Sequence, residues 1–293
     1  METVSPEKCF PWYNLVPFGT ASLRKPVPKE LLVAHPFTYP ARLALSAVTL
    51  ALATPIAALP VIVTSIFTRS DRMGFSMMRI WASIVSRAMG LTFSLEGEKN
   101  VVPSHSYIVT PNHQGNADIL ALIRTLPVPF LWVIKREILR IPFLGWALGR
   151  MGTVSLDRAD KEQAVNSLNQ ASGKLSDGWS VIIYPEGTRT RDGNLMPFKK
   201  GAFRLAIKTG VPILPVTTNG AFKVMPRKAT LFRPGHVTVT IGEPIPTEGL
   251  TDRDLSSLME KTYKAVLKNL NVDYDPFTLP TPSLLQTEDP ARR

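Results

Sequence analysis

The chain has 293 residues, a hydrophobic fraction of 44% and a formal net charge of +11 at pH 7. This hydrophobic content excludes a largely disordered protein, and the length allows one large domain with a substantial appendage. The single cysteine, Cys9, excludes an intramolecular disulfide and a cysteine-based zinc site. The positive charge predicts a polyanionic partner, but the basic residues are scattered and no nucleic-acid-binding motif occurs. We therefore expect an anionic membrane surface or a phosphorylated substrate, and no nucleic acid.

The first ninety residues predict an arm followed by apolar helices. Residues 1–42 are rich in proline and aromatic residues without a recognisable period, so we expect an irregular N-terminal arm. Residues 43–68 carry no charge and would reach about 39 Å as one helix. Pro55 and Pro60 interrupt this run, and each should break or kink a helix. The pieces that remain are too short to span a bilayer.

Residues 75–90 show the period of a helix that lies in a membrane interface. One face is expected to carry the apolar residues Phe75, Met78, Trp81, Ile84, Val85 and Met89. Arg79, Ser83 and Arg87 are expected on the opposite face. With basic residues on both flanks, residues 43–90 are expected to enter one leaflet as a broken helical hairpin and to return. A single kinked transmembrane helix and a buried pair of core helices are the alternatives.

From residue 91 onward, short apolar runs alternate with helical patterns. Candidate strands are 107–110, 130–134, 153–156, 181–184, 213–217 and 237–241. Candidate helices are about 117–126, 160–176, 199–209 and 252–270. Several strands are apolar on both faces, as in a sheet covered on both sides. The alternation predicts an α/β domain over residues 91–272 with a largely parallel sheet covered by helices, followed by a loose tail, 273–293.

The first polar cluster, residues 112–118, directly follows a predicted strand. A continuous helix would place His113 and Asp118 about 140° apart, but Gly115 and Asn116 indicate a turn with Asn116 as the N-cap. In such a turn the carboxylate can fold back onto the imidazole, fix its tautomer and leave the other ring nitrogen free to accept a proton. Plain helix capping by Asp118, with His113 incidental, fits these residues equally well.

Three further clusters also follow predicted strands. Residues 184–191 include a glycine, a hydroxyl donor and Arg189, which can bind a phosphate through two bonds; a polar surface turn is the alternative. Residues 135–158 begin with Lys135 and end with Arg158. These two side chains could both face one cleft or could form surface salt bridges. Residues 211–216 are apolar and predict a core strand with edge prolines. The four histidines are isolated, so no metal site is expected.

In order and spacing, the four clusters resemble the four blocks of the glycerophosphate acyltransferase superfamily, and within it the 1-acylglycerol-3-phosphate acyltransferases. The matching segments are 112–118, 135–158, 185–189 and 211–216, and the run 198–202 is also similar. The resemblance covers about residues 90–245. Gly115 stands where the family often has Ser, which could loosen the turn at His113. Tyr184 and Thr190 replace a usual Phe and Ser.

The resemblance implies transfer of a fatty acyl chain from acyl-CoA or acyl-carrier protein to the free hydroxyl of lysophosphatidic acid, giving phosphatidic acid. It implies His113 as the general base, oriented by Asp118, with no acyl-enzyme and with no cofactor or metal. Lys135 would stabilise the oxyanion that develops during acyl transfer. The glycerol phosphate would be held by Arg158, Glu186, Gly187, Thr188 and Arg189.

The resemblance also implies an enzyme seated monotopically on an anionic membrane surface, at the cytoplasmic face of the cell membrane. Three alternatives remain open at this point. The acceptor could be another lysolipid, such as a lyso-ornithine lipid or a lysophospholipid. The chain could be a catalytically silent membrane-binding relative, or a thioester hydrolase.

Overall fold

The computed structural model of the chain describes residues 38–67, 71–102, 104–156, 161–227 and 232–271. Most of the predicted arm and the whole of the predicted tail lie outside these ranges, as does Arg158. The last residues of the predicted arm are helical, because the first described helix, α1, begins at Thr38.

The N-terminal part is a pair of antiparallel helices, α1 (Thr38–Phe67) and α2 (Asp71–Met89). Near one end of the pair the Ser46 hydroxyl lies 3.1 Å from the carbonyl oxygen of Ala88. Further along, the indole N–H of Trp81 donates to the Thr54 hydroxyl over 3.1 Å. These contacts show that the segment folds back on itself as a hairpin, as the sequence predicts.

The predicted break at Pro55 and Pro60 is wrong, because α1 continues through both residues. A proline in a helix interior costs about 3 kcal/mol, since it lacks an amide hydrogen and its ring meets the preceding turn. Tertiary packing offsets this cost, because Ala53, Ala58 and Val61 are buried in the same core as α2 and the sheet. The apolar stretch Pro40–Ser65 is 26 residues long, enough to cross a membrane by length and composition, and 17% of it is buried.

The faces of α2 differ in part from the prediction. Phe75 and Val85 are buried as expected, but Arg79 is 8% exposed and Ile84 is 45% exposed. Arg79 reaches inward, and its guanidinium lies 3.4 Å from the carbonyl oxygen of Arg124, at the end of a helix that packs against α2. A cation at a helix C-terminus is favourable, which explains how an arginine occupies a buried face.

Seven strands form one sheet in the described part of the chain. They are β1 (Leu91–Glu96), β2 (Ile108–Pro111), β3 (Phe130–Lys135), β4 (Val154–Leu156), β5 (Ser180–Ile182), β6 (Ile213–Asn219) and β7 (Gly235–Ile241). The strand order is β1-β7-β6-β2-β5-β3-β4. Neighbouring strands are parallel except β6 and β7, so β1 and β7 run opposite to the other five. The largely parallel sheet is therefore confirmed.

Strand β1 is missing from the sequence prediction because its pattern differs from that of the central strands. Phe93 and Leu95 pack on the core, whereas Thr92 and Ser94 hydrogen-bond to polar side chains of β7. This alternation is typical of a strand covered on one face. In contrast, β6 is buried along its whole length and lies between β2 and β7, so Pro215 occupies an interior strand. Pairing with β7 begins at Val216, one residue after the proline that cannot donate.

Helices cover both faces of the sheet. Besides the hairpin they are α3 (Ala117–Thr125), α4 (Leu144–Arg150), α5 (Lys161–Ser176), α6 (Gly201–Thr209), α7 (Ala221–Val224) and α8 (Leu255–Lys268), with 3₁₀ turns at Glu98–Asn100, Arg136–Arg140 and Asp252–Asp254. Val109 and Ile182 belong to a core with α1, α2 and α3, while their chain neighbours Ile108 and Val181 belong to a core with α5, α6 and α8. The strands are thus buried on both faces, as predicted.

Strand order positions the polar clusters. Strands β6, β2, β5 and β3 are consecutive neighbours and run in the same direction. The segments that leave their carboxyl ends therefore meet at one edge of the sheet, where α/β proteins usually bind ligands. These segments carry the first polar cluster (residues 112–118), the cluster at residues 184–191, which is third in chain order and is called the third cluster below, and Lys135.

Candidate active site

The imidazole of His113 and the carboxylate of Asp118 are in contact. His113 follows β2, and Asp118 lies in the first turn of α3. His113 Nδ1 is 3.0 Å from Asp118 Oδ2, and the two side chains are 15% and 0% exposed. The contact to the imidazole, which the sequence leaves open beside plain helix capping, is therefore present. With Nδ1 held by the carboxylate, Nε2 is the nitrogen that can accept a proton.

Asp118 is bonded on both of its oxygens. Oδ2 also accepts the backbone N–H groups of Gln114, over 2.7 Å, and Gly115, over 2.9 Å. Oδ1 lies 2.9 Å from the hydroxyl of Thr218, on β6. The capping of this turn and the contact to the imidazole, which the sequence presents as alternatives, are therefore made by one carboxylate.

Asn112 links the same turn to β6. Its side-chain amide donates to the carbonyl of Thr218 over 3.0 Å, and the N–H of Thr218 donates to Asn112 Oδ1 over 2.7 Å. These bonds continue the pairing of β2 and β6 by one residue beyond the end of β2. The sequence predicts no separate role for Asn112. Its signal was an amide side chain directly after a strand and directly before the candidate base.

The turn at Gly115 is tightly packed, contrary to the expectation that this glycine loosens it. A Cβ atom on Gly115 would lie 2.3 Å from the carbonyl oxygen of Met225, just after α7. Asn116 occupies the N-cap position of α3 without capping it through its side chain. Its Oδ1 instead accepts a hydrogen bond from Arg189 Nη1 over 2.7 Å, which joins the first and third clusters.

Glu186 holds the backbone of the candidate base. Its side chain is buried, with Oε1 2.6 Å from the N–H of His113 and Oε2 3.0 Å from the N–H of Met196. Burial raises the pKa of Glu186 to about 8, against the lowering effect of these two bonds. The resemblance implies a contact between Glu186 and the glycerol phosphate. In the structure both oxygens face backbone amides, so this residue positions the His113 loop.

The remaining third-cluster residues are placed at the surface edge of the site. Thr188 is exposed and Arg189 is partly exposed, while Gly187 is buried with a positive φ of 74°. The side chain of Lys199 lies across Gly187: a Cβ atom there would be 3.0 Å from Lys199 Cε and 3.1 Å from Nζ. Lys199 is not among the predicted site residues, although it lies in the run 198–202 that resembles the family.

Lys135 ends β3 and is exposed. Strand β5 lies between β3 and β2, so Lys135 starts about 10 Å from the strand that leads to His113. Its predicted companion Arg158 lies outside the described residues.

Three aromatic rings form a stack that ends on His113. The rings of His113 and Tyr184 have centroids 3.8 Å apart and planes 16° apart. Behind them, Tyr184 and Trp132 stack at 5.8 Å and 14°. The Tyr184 hydroxyl is buried, and within the described part of the chain it has no hydrogen-bond partner. Burial, followed by the charges of Asp118 and Glu186, raises the pKa of this hydroxyl well above its ordinary value.

Known proteins are similar to this chain in sequence and in fold. An acyltransferase family model matches residues 92–219, which contain the His113 turn and the third cluster. The crystal structure of the 1-acyl-sn-glycerophosphate (LPA) acyltransferase PlsC from Thermotoga maritima aligns with a TM-score of 0.68 and 25% sequence identity. The alignment covers 79% of this chain and 96% of that chain.

Two relatives illustrate the range of similarity. The chloroplastic 1-acyl-sn-glycerol-3-phosphate acyltransferase BAT2 of Brassica napus is 40% identical over 169 residues, or 57% of this chain. The match spans about half, 48%, of that relative. The 1-acyl-sn-glycerol-3-phosphate acyltransferase alpha of Homo sapiens is 31% identical over 192 residues, which is 65% of this chain and 68% of that relative. The fold, the order of the clusters and these similarities show that the chain belongs to the 1-acyl-sn-glycerol-3-phosphate acyltransferase family.

Proposed function

We propose that the chain transfers a fatty acyl chain from acyl-CoA or acyl-carrier protein to the free hydroxyl of 1-acylglycerol-3-phosphate, giving phosphatidic acid. The observation that carries this proposal is the contact between His113 and the fully buried Asp118 at the sheet edge. A buried carboxylate on Nδ1 favours imidazolium formation and leaves Nε2 to act as a base. Family membership supports the same reaction, because the relatives are named for it.

The proposed step is a direct acyl transfer. His113 Nε2 removes the proton of the acceptor hydroxyl as its oxygen attacks the carbonyl carbon of the thioester. The new C–O bond forms, the C–S bond breaks, and the proton passes from the imidazolium to the departing thiolate. The carboxylate of Asp118 stabilises the imidazolium between these events. Lys135, which the resemblance assigns to the oxyanion, remains part of the proposal as an exposed cation at the end of β3.

The acceptor phosphate is proposed to bind beside the third cluster. Arg189 is held by Asn116 with its guanidinium near the N-terminal end of α3, and Thr188 is exposed next to it. Lys199 adds an ammonium group across Gly187. The side chains of arginine and lysine suit a phosphate dianion. Arg158 stays in the proposal from the resemblance alone.

The enzyme is proposed to lie on the cytoplasmic face of the cell membrane, seated by the hairpin. Large apolar side chains of α1 and α2 are exposed: Leu45, Val48, Leu50, Leu52, Ile56, Leu59 and Val63 on α1, and Ile80 and Ile84 on α2. Trp146 of α4, a helix that packs against α1, is also exposed. Basic residues before and after the hairpin would bind anionic lipid and keep both ends on one side.

Because α1 is continuous and long enough to cross, the topology needs a direct test. Single cysteines are placed in the arm and at Ser70, in a Cys9→Ser background, and intact cells are treated with an impermeant thiol reagent. A hairpin seated on the cytoplasmic leaflet leaves both cysteines unlabelled until the cells are opened. Labelling of the arm from outside, with position 70 protected, would show a crossing helix and overturn the monotopic arrangement.

The reaction is tested with purified protein, labelled acyl-CoA or acyl-carrier protein, and a panel of acceptors. The panel contains lysophosphatidic acid, the dephosphorylated monoacylglycerol, a lysophospholipid and a lyso-ornithine lipid, with mass spectrometry of the lipid products. Phosphatidic acid should form fastest, with at least a tenfold loss for the dephosphorylated acceptor. Preference for a lysolipid without a terminal phosphate would reassign the acceptor. Release of free fatty acid at the same rate without acceptor would indicate a thioester hydrolase.

A further inference from the structure

The aromatic stack on His113 is built by the topology of the sheet. Trp132 lies in β3, Tyr184 follows β5 and His113 follows β2, and these three strands are neighbours in the order β2-β5-β3. Pairing places Trp132 opposite Ile182, two residues before Tyr184, so both aromatic side chains lie on the same face. The rings thus form a row across the sheet edge that ends on the imidazole.

The row is firmly supported from behind. Trp132 is buried and meets Phe130 edge to face, with ring centroids 5.3 Å apart. Phe130 in turn meets Phe75 of α2 at 5.2 Å in the same geometry. These side chains pack in the core shared by the hairpin and the sheet. Tyr184 is therefore packed between His113 and a buried cluster of aromatic rings, which restricts its movement away from His113.

On His113, the stack acts together with Asp118. The carboxylate fixes one edge of the imidazole through Nδ1, and Tyr184 covers one face at 3.8 Å. With Nδ1 bonded and one face covered, rotation of the imidazole is restricted, and Nε2 is the nitrogen left to accept a proton. The face of a phenol ring is electron-rich and attracts a cation placed over it. The titratable and charged groups around His113 are Asp118 from α3 and Glu186 from the third cluster, with Arg189 one contact further through Asn116.

From this geometry we propose that Tyr184 is a positioning residue: its ring holds the imidazole plane and stabilises the imidazolium that forms during acyl transfer. The inference rests on the proposed function, since it assumes that His113 takes up a proton. We assign the effect to the ring and not to the hydroxyl, because Tyr184 Oη is buried and has no hydrogen-bond partner among the described residues. The matched variants are therefore Tyr184→Phe, which keeps the ring, and Tyr184→Leu, which fills part of the space without one.

Kinetics test the role of the ring. Tyr184→Leu should lower kcat about tenfold, or roughly 1.4 kcal/mol, while the KM values of donor and acceptor stay within about twofold. Tyr184→Phe should keep kcat within about twofold of the wild type. An increase in the KM of both substrates in Tyr184→Leu would indicate a collapsed site. An equal decrease of kcat in both variants would assign the effect to the hydroxyl. Either result overturns the proposal.

A spectroscopic readout separates this proposal from the function on which it rests. A ring stacked at 3.8 Å shifts the carbon-bound imidazole protons of His113 upfield, which is visible by NMR with ring-labelled histidine. His113→Gln assigns the signal. The shift should persist in Tyr184→Phe and disappear in Tyr184→Leu; if the wild type shows no such shift, the stack does not exist. If the shift is present and the wild type transfers no acyl chain to any lysolipid, the proposed function fails while the stack stands.

Discussion

The hydroxyl of Thr218 lies 2.9 Å from Asp118 Oδ1, on the oxygen opposite to the one that contacts His113. One hundred residues separate the two in sequence, and they meet because β6 pairs with β2. The carboxylate is thereby held from the turn on one side and from a core strand on the other. A rigid carboxylate keeps the imidazole in one tautomer and one orientation.

Thr218→Val should therefore reduce both stability and turnover. A hydrogen bond to a charged group contributes about 1.5–3 kcal/mol, so the free energy of unfolding should fall by about that amount. Turnover should fall several-fold, because Asp118 then keeps its bonds to the turn alone. Thr217→Val is the matched control: its hydroxyl donates to the carbonyl of Val266 over 2.9 Å, away from the site. Denaturant unfolding and initial rates check both variants, and an equal loss of turnover in Thr217→Val would contradict the assignment.

His113→Ala should lose at least about a hundredfold in turnover, since a general base contributes about 10²- to 10⁴-fold. Asp118→Asn should also lose activity, because the amide cannot accept the three bonds that the carboxylate accepts on the turn and the imidazole. His105→Ala, at an exposed histidine elsewhere, should leave the rate unchanged. The rate of phosphatidic acid formation measures this, with vesicle binding as the check on folding. Near-normal transfer by His113→Ala would eliminate the proposed mechanism.

Lys199→Ala should weaken binding of the acceptor and leave binding of the acyl donor nearly unchanged. Losing one cation from the phosphate site should raise the acceptor KM about tenfold, or roughly 1.4 kcal/mol. Lys200 is the next residue and is also exposed, but it occupies the N-cap position of α6, and the atoms nearest to a Cβ on Gly187 all belong to Lys199. Lys200→Ala should therefore change the acceptor KM by less than about twofold. Matching effects of the two lysines would show general attraction of the phosphate and no specific site.

Glu186→Gln should flatten the pH dependence of stability. Burial raises the pKa of Glu186 from 4.5 to about 8, so between these values the folded protein keeps a proton that the unfolded chain has released. This contribution to stability is full below pH 4.5 and is lost as the pH rises to about 8. Glutamine has no proton to lose, so the free energy of unfolding of the variant should fall less over this range.

The Glu186→Gln variant should also start from a lower stability. A glutamine cannot accept both backbone N–H groups that Glu186 accepts, which should cost about 1–3 kcal/mol. Urea unfolding in detergent from about pH 5 to pH 9 measures both effects. An unchanged pH slope in the variant would show that Glu186 does not carry the proton assigned to it here.

Gly115→Ser should destabilise the chain. The added Cβ would lie 2.3 Å from the Met225 carbonyl oxygen, so the backbone after α7 must move. We expect a loss of about 1–3 kcal/mol and reduced turnover, because the same turn carries His113. Gly173→Ala on α5, where nothing lies within 4 Å of the new atom, should stabilise by about 0.5–1 kcal/mol. Thermal unfolding separates the two, and a neutral Gly115→Ser would show that the contact at Met225 gives way.

The sequence alone predicts those features that depend on local pattern. The apolar runs of the central strands and the period of the helices are properties of neighbouring residues, so most elements are located to within a few residues. The spacing of His113 and Asp118, with Gly115 and Asn116 between them, indicates a turn in which imidazole and carboxylate can meet. The ordered clusters were enough to identify the family.

Long-range packing decided the rest. Pattern alone breaks α1 at Pro55 and Pro60, because helix propensity is local while the burial that offsets its cost comes from α2 and the sheet. Pattern also places Arg79 outside, since the helix end that accepts it belongs to another segment.

The site follows the same division. The bond from Thr218 to Asp118 and the stack of Tyr184 on His113 depend on which strands are neighbours. Strand order is set by the three-dimensional packing of distant segments, and no local pattern contains it. The sequence by itself therefore determined which residues are available for chemistry, and the tertiary structure decided which of them hold the base in place.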